Sequence, residues 1–175
     1  MILIVGGTGA LGSAAARRLL AQGRPVRVMT RSPQKAAELR EAGAQIVPGD
    51  LRDRASLARA CQGARMVLAA AHSLMGNGSE ASKYVDDQGH KWLIDEAKQA
   101  GVERFVYTSA LGAGPDSKMS FFRIKYDVEQ YLRRSGLEYV ILRPTAFMES
   151  HVGMLIGRPI LENGKVTLFG KGENP

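Results

Sequence analysis

Val5-Gly6-Gly7-Thr8-Gly9-Ala10-Leu11-Gly12 lies between a short apolar run, residues 2–5, and a segment with helical spacing. Its glycines satisfy both the G-x-G-x-x-G and the G-x-x-G-x-x-G spacing. Glycines there let the backbone approach a pyrophosphate, and the N-terminus of the following helix faces the anion. The alternative is a purely structural turn, but the order strand, turn, helix favours dinucleotide binding. The predicted cofactor contacts in this stretch are Gly6, Thr8, Gly9, Ala10, Leu11 and Gly12.

Further along the chain, short apolar runs rich in β-branched residues recur and predict five more strands, at residues 26–29, 44–47, 66–69, 104–107 and 139–142. Segments with helical spacing separate them, of which the clearest end before Gly23, Gly43, Gly101 and Gly136. Strands that are apolar throughout, in alternation with helices, are typical of a parallel sheet covered on both faces. The sequence therefore predicts an α/β fold with a doubly wound parallel sheet, the Rossmann fold.

Composition excludes several classes of protein. The 175 residues include a single cysteine, Cys61, so no internal disulfide can form, and no Cys/His cluster suggests a metal site. We expect Cys61 to be a small buried apolar group. No apolar run approaches the ~18 residues of a membrane span. These features predict a cytoplasmic protein that binds neither metal nor membrane.

The positive charge is concentrated in the first part of the chain. Residues 1–65 carry 11 basic and 4 acidic side chains, whereas residues 66–175 carry 13 of each. Such a region could face nucleic acid, an acidic membrane or a phosphorylated cofactor. The arginines are scattered over several elements without a helix-turn-helix pattern, which argues against nucleic acid. A phosphorylated cofactor is the reading that the glycine turn favours.

The residue after the second predicted strand distinguishes the two nicotinamide cofactors. An NAD enzyme carries Asp or Glu at this position to bond the ribose 2′-hydroxyl, and here Arg31 takes its place. A guanidinium can pair with a 2′-phosphate, and Lys35 follows in the next helix. The alternative is a solvated loop arginine. We predict Arg31 and Lys35 as cofactor contacts and NADP(H) as preferred over NAD(H).

Gly49-Asp50-Leu51 follows the third predicted strand, at the edge where an adenine ring would lie. Asp50 could accept a hydrogen bond from the adenine amine while Leu51 packs on the ring. Equally, Asp50 could only cap the next helix. Both residues are predicted cofactor contacts.

Taken together, these residues resemble the extended and atypical short-chain dehydrogenase/reductase superfamily, and more narrowly its NmrA-like branch. The motifs that carry the resemblance are residues 6–12, Thr30-Arg31, Gly49-Asp50-Leu51, Ala69-Ala70-Ala71, Tyr107-Thr108-Ser109, Lys125 with Val128-Glu129, and Leu142-Arg143-Pro144. The resemblance implies catalytic roles for Ser109, which would polarise a substrate carbonyl, and for Lys125. It also implies cofactor contacts at Ala70, Ala71, Lys125, Pro144 and Phe147.

One position departs from the superfamily pattern. The proton-donating tyrosine would stand four residues before Lys125, and Phe121 is found there. Both side chains should share one helix face, but phenylalanine cannot transfer a proton. Tyr126 points elsewhere around the helix and is no substitute. Lys125 itself could bond the nicotinamide ribose, or it could only pair with Glu129 one turn on.

The resemblance and the missing tyrosine leave two functions open. The first is an NADPH-dependent oxidoreductase that passes hydride to a small acceptor such as a quinone or enone, which needs no dedicated acid. The alternative is a non-catalytic NADP(H)-sensing regulator, because the NmrA-like branch also contains proteins that bind NADP without known turnover. His72, at the end of the fourth strand, is expected near the pocket without a catalytic role.

The C-terminal part of the sequence is irregular and rich in glycine. We predict a dinucleotide-binding domain over residues 1–146 and the start of a substrate-covering region over residues 147–175, with a strand at 166–169. Members of the resembled family continue beyond this point. The substrate region is therefore expected to be incomplete, so that either the chain is a minimal or truncated form or a protein partner or second copy completes the site.

Overall fold

The computed structural model describes residues 1–73, 76–78, 81–148 and 152–166. Within these ranges six strands form one sheet in the order β3-β2-β1-β4-β5-β6, and every neighbouring pair is parallel. The strands are β1 Ile2–Val5, β2 Val26–Thr30, β3 Gln45–Pro48, β4 Met66–Ala69, β5 Arg104–Thr108 and β6 Glu138–Leu142. The predicted strands and Rossmann fold are confirmed. The strand order reverses between β1 and β4, where such folds bind ligands at the strand carboxyl ends.

Helices connect the strands across both faces of the sheet. In the first unit they are α1 Ala10–Ala21, α2 Ala37–Glu41, α3 Arg54–Cys61, α4 His90–Gln99 and α5 Ser120–Arg134. A 3₁₀ turn, Pro33–Ala36, precedes α2, and a π-helical segment, Lys83–Gly89, leads into α4. The sequence pattern predicts one helix over residues 82–100, so the wider π turns at its start are a departure.

Two hydrophobic clusters fill the space between the sheet and its helices. Successive β1 residues contribute to opposite clusters, with Leu3 and Val5 in one and Ile4 in the other. The first cluster includes residues of α3, α4 and α5, and the second includes residues of α1 and α2. Burial on both faces explains why the strands are apolar throughout. Cys61 is fully buried in the first cluster, as predicted, and burial raises its pKa to about 12.

The chain divides into two compact units, Met1–Arg143 and a second that begins at Pro144. The described part of the second unit contains a π-helical segment, Val152–Gly157, and a short helix, α6 Arg158–Asn163. The predicted strand at 166–169 falls mostly outside the described residues, as do parts of the loop at 73–79. In the described ranges, no helix has the length and apolar character needed to cross a membrane.

Candidate functional site

The glycine turn between β1 and α1 is packed too tightly for side chains at three positions. A Cβ on Gly7 would meet the Val28 side chain at 2.5 Å, and at the other two positions it would meet backbone atoms. Gly6 has φ +84°, and a Cβ there would lie 2.7 Å from the backbone nitrogen of Ala71. A Cβ on Gly12 would lie 2.3 Å from the carbonyl oxygen of Gly6. The turn and the residues after β4 are therefore in close backbone approach. The structure brings together Gly6 and Ala71, two of the predicted cofactor contacts.

The N-terminus of α1 starts at this turn and has no side-chain cap. Gly9 is the capping residue, its N–H donates to the carbonyl of Gly6, and its carbonyl accepts from Ser13 N at 2.9 Å. The first amides of a helix have no carbonyl acceptor within the helix itself. Those of Ala10 and Leu11 therefore lie where a phosphate would be held by N–H groups and the helix dipole.

Thr8 connects this turn to the end of β2. Its hydroxyl lies 3.2 Å from the hydroxyl of Thr30, which also accepts a hydrogen bond from Ser32 N. Thr30 is 6% exposed, whereas Arg31 and Lys35 beyond it are exposed. Sequence reasoning did not identify Thr30 as the partner of Thr8. The only signal for it is weak, because it is a polar residue at the end of an apolar strand. The contact joins the glycine turn to the end of β2, next to Arg31 and Lys35, the predicted 2′-phosphate contacts.

Asp50 is already engaged by a neighbouring arginine. Its carboxylate accepts hydrogen bonds from Arg52 N at 2.9 Å, Nε at 3.0 Å and Nη2 at 2.5 Å. The Arg52 hydrogen bonds lower the pKa of Asp50, and the charge of Arg31 adds to this. Leu51 is 4% exposed and packs against Gly89, so it offers an adenine ring little surface. The adenine contacts of Asp50 and Leu51 stay predictions.

Lys125 of α5 is buried at the carboxyl end of β5, with 2% of its surface exposed. Its Nζ lies 3.4 Å from Asp86 Oδ1 and donates to the carbonyl of Thr108 at 3.3 Å. The ammonium also lies 5.0 Å from the ring centroid of Tyr107 and 5.4 Å from that of Phe121. Phe121 and Lys125 therefore share a helix face, as predicted.

Asp86, in the π-helical segment, anchors this lysine. Its other oxygen, Oδ2, accepts hydrogen bonds from Ser73 N at 2.9 Å and Ser82 Oγ at 2.7 Å. Burial lowers the pKa of Lys125, and the charge of Asp86 opposes that effect. His90 lies beside the pair, and burial together with the charge of Lys125 lowers its pKa to about 4. The imidazole is therefore neutral at neutral pH.

Glu129 does not pair with Lys125, so that alternative is wrong. Its buried carboxylate accepts hydrogen bonds from Arg143 Nε at 2.8 Å and Nη2 at 2.5 Å. It also accepts a hydrogen bond from the hydroxyl of Ser109, with an oxygen–oxygen distance of 2.5 Å. Ser109 is 5% exposed, and its proton is directed to Glu129 rather than to open space. Its predicted role in polarising a carbonyl stays a prediction.

The remaining predicted residues are placed as follows. Ala70 N donates to the carbonyl of Val5 at 2.9 Å, which aligns the residues after β4 with the glycine turn. His72 contacts the ring of Phe121 edge-on, with centroids 6.5 Å apart. Pro144 and Phe147 belong to the second unit, and their contact with the nicotinamide stays a prediction.

Comparison with known proteins matches residues 6–165 to the model of the NAD(P)H-binding family. The chain belongs to this family. The match covers the glycine turn from Gly6 onward, strands β2 to β6 and Lys125. Together with the parallel Rossmann sheet, it confirms the predicted class, the short-chain dehydrogenase/reductase-like NAD(P)-binding proteins. The NmrA-like branch within that class stays a prediction.

Relatives of this NAD(P)H-binding chain carry different functional names. Photosystem II assembly factor Ycf39 from Synechocystis is 35% identical over 99% of this chain and 52% of its own length. The NAD(P)H azoreductase of Xenophilus azovorans is 32% identical over 99% of this chain and 57% of its own. The chain thus spans about half the length of the curated relatives it matches.

A solved structure gives a similar result. The NADPH-dependent quinone oxidoreductase of Escherichia coli, in complex with NADPH, superimposes with a TM-score of 0.69 and 30% identity. The overlap covers 89% of this chain and 54% of that protein.

Proposed function

We propose that the chain binds NADPH and directs hydride transfer to a small conjugated acceptor such as a quinone or enone. The observation that carries this proposal is Lys125. A fully buried lysine beside a parallel strand end costs stability unless it is paired, and here Asp86 pairs it. Groups held in this way are typical of functional sites. The azoreductase and quinone oxidoreductase relatives support the choice of reaction.

The residues around the glycine turn fit a dinucleotide. A Cβ on Gly6 or Gly12 would meet backbone atoms of Ala71 or of the turn itself, so the turn is free of side chains at both positions, and the uncapped α1 N-terminus supplies N–H donors. Arg31 and Lys35 would hold the 2′-phosphate. When bound, NADPH supplies the hydride. The remaining parts of the reaction fall to side chains of this chain.

Lys125 would orient the cofactor and stabilise negative charge on the acceptor. An ammonium has three donor positions, and the contacts with Asp86 and Thr108 occupy two directions. The third N–H of the ammonium would donate to a ribose hydroxyl of the cofactor. Phe121 cannot donate a proton, so the acceptor oxygen would receive its proton from water. A quinone or enone tolerates this because its developing charge is delocalised and can be stabilised electrostatically.

Arg31→Asp is expected to reverse the cofactor preference. The substitution removes the cation proposed to pair with the 2′-phosphate and supplies an acceptor for a 2′-hydroxyl. NADPH affinity should fall about tenfold or more, while NADH affinity is kept or improved. Titration of both cofactors by calorimetry measures this change. Arg134→Asp, the same charge change at the exposed end of α5, should leave the ratio unaltered; an equal loss in both variants would contradict the role of Arg31.

Ser109→Ala separates two roles of this hydroxyl. The proton can be directed at Glu129 or at an acceptor oxygen, but not at both. If Ser109 polarises the acceptor, kcat should fall about tenfold with NADPH affinity unchanged. Steady-state kinetics and a melting curve test this. A lower Tm with an unchanged kcat would leave Ser109 as a structural partner of Glu129 only.

The proposed function is tested by NADPH oxidation. Purified protein is assayed against a panel of quinones, enones and aldehydes, with consumption of NADPH followed by absorbance. Turnover that saturates with one acceptor class supports a reductase. Failure to bind NADPH would overturn the proposal.

A second function is favoured by Phe121 and by the assembly-factor relatives. In this alternative the chain binds NADP(H) without turnover, and cofactor occupancy alters a surface that a protein partner recognises. Tight NADPH binding with no consumption by any acceptor is the result that selects it. The two functions share the cofactor contacts and differ in whether Lys125 performs chemistry.

A further inference from the structure

A cavity of about 510 Å³ is lined in part by the π-helical segment and the start of α4. The residues described around it are Arg52, Gly78, Lys83, Tyr84, Gln88 and Trp92. Its volume lies within the range of small-molecule sites, roughly 300–1,000 Å³. None of these residues is among those predicted to contact the dinucleotide. The cavity therefore requires an explanation other than the proposed cofactor.

One wall of the cavity is aromatic. Tyr84, Gln88 and Trp92 recur every four residues and so lie along one side of the helical segment. Trp92 is half-buried and packs against the first hydrophobic cluster, whereas Tyr84 is 44% exposed. Two flat rings at this spacing, one fixed by the core, suit a planar ligand that stacks on them.

The charged groups at the cavity are cationic. Lys83 Nζ lies 4.7 Å from the ring centroid of Tyr84, and the Arg52 guanidinium is oriented by its hydrogen bonds to Asp50. No acidic side chain occurs among the lining residues described. Arg52 is paired with Asp50, so Lys83 supplies the net positive charge, and together with the two aromatic rings it complements a ligand that is both planar and negatively charged.

We propose that this cavity binds a planar aromatic anion, such as an aryl sulfonate or aryl carboxylate, at a site separate from the dinucleotide. The rings of Tyr84 and Trp92 stack on the ligand, and Lys83 neutralises its charge beside the Arg52–Asp50 ion pair. Because Arg52 also holds Asp50, a ligand here contacts a residue next to the proposed adenine end. The proposal does not depend on turnover at Lys125.

The experiment uses the chain's single tryptophan, Trp92, as the reporter. The probe is 8-anilinonaphthalene-1-sulfonate, an aryl sulfonate that accepts energy from tryptophan and cannot serve as a hydride acceptor. Binding is followed by selective excitation of Trp92, with and without saturating NADP⁺. The neutral counterpart, N-phenyl-1-naphthylamine, has the same rings without the sulfonate. The charge-reversal variant is Lys83→Glu, and its matched control is Lys98→Glu, at an exposed position of α4 outside the cavity.

The sulfonate should bind with energy transfer from Trp92 and remain bound in the presence of NADP⁺. Lys83→Glu should weaken its affinity about tenfold, while Lys98→Glu leaves it unchanged and circular dichroism shows both variants folded. Equal affinities in the two variants, equal affinity for the neutral probe, or complete displacement by NADP⁺ would each overturn the proposal. If the chain fails to bind NADP⁺ but still binds the sulfonate more tightly than the Lys83→Glu variant does, the proposed function is refuted and the proposed anion site is supported.

Discussion

Lys125→Met is expected to abolish NADPH oxidation, with kcat lowered about a hundredfold or more. The side chain is fully buried at the carboxyl end of β5, and its ammonium is the cation that the structure places beside Phe121. Methionine has a similar length but no charge and no N–H donor. The variant should therefore lose both the proposed ribose contact and the stabilisation of charge on the acceptor.

Loss of stability must be separated from loss of chemistry in this experiment. Removing the ammonium leaves the Asp86 carboxylate buried without its ion-pair partner, which costs about 3–5 kcal/mol in comparable cases. The double variant Lys125→Met/Asp86→Asn removes that charge and should recover most of the Tm. If Lys125 acts in the reaction, the double variant folds and remains inactive. A folded double variant that oxidises NADPH at the original rate would contradict the mechanism.

The conservative variant Lys125→Arg gives a complementary measurement. Arginine keeps the charge but is longer and planar, so it cannot reproduce both the Asp86 contact and the bond to the Thr108 carbonyl. Partial activity with a raised KM for NADPH would indicate that lysine orients the cofactor as well as supplying charge. If the arginine variant folds and is as inactive as the methionine variant, a positive charge at residue 125 is not sufficient, and the reaction requires the lysine ammonium in its observed position.

The strands and the glycine turn could be predicted because their signals are local. Residues 2–5 are apolar throughout since both faces of β1 are buried, and glycine is required at Gly6 and Gly12 by contacts that a side chain would violate. The π-helical segment could not be predicted in this way. Apolar spacing marks the buried face of residues 82–100 but does not distinguish wider π turns from α turns over so short a stretch.

The partners of the polar site residues could not be predicted from residue spacing in the sequence. Lys125 and Glu129 have the separation of a helical ion pair, yet each binds a residue from another element. Asp86 reaches Lys125 from the π-helical segment, and Arg143 reaches Glu129 from just beyond β6. An acidic residue next to the buried Val85 is the one sequence signal for Asp86, because a buried carboxylate needs a partner. The identity of that partner depends on the tertiary fold.

Gly6→Ala is expected to abolish dinucleotide binding, with NADPH affinity lowered at least about a hundredfold. The residue has φ +84°, which alanine adopts only with strain, and the added methyl would lie 2.7 Å from the Ala71 backbone nitrogen. Backbone atoms cannot move aside as the end of a flexible side chain can. Either the turn or the segment after β4 must shift, and both are proposed to contact the cofactor. Calorimetric titration with NADPH measures the loss.

Gly23→Ala provides the matched control. Gly23 also has positive φ, +69°, but a Cβ there would meet no atom within 4 Å. Both variants should lose stability from backbone strain, on the order of 1 kcal/mol, in denaturant unfolding, and Gly6→Ala should lose more because its methyl also meets the Ala71 backbone. NADPH affinity should fall strongly in Gly6→Ala and stay unchanged in Gly23→Ala. If both variants bind NADPH with unchanged affinity, the turn between β1 and α1 does not hold the pyrophosphate. If both lose affinity in proportion to their stability, the effect of Gly6→Ala arises from strain and not from the site.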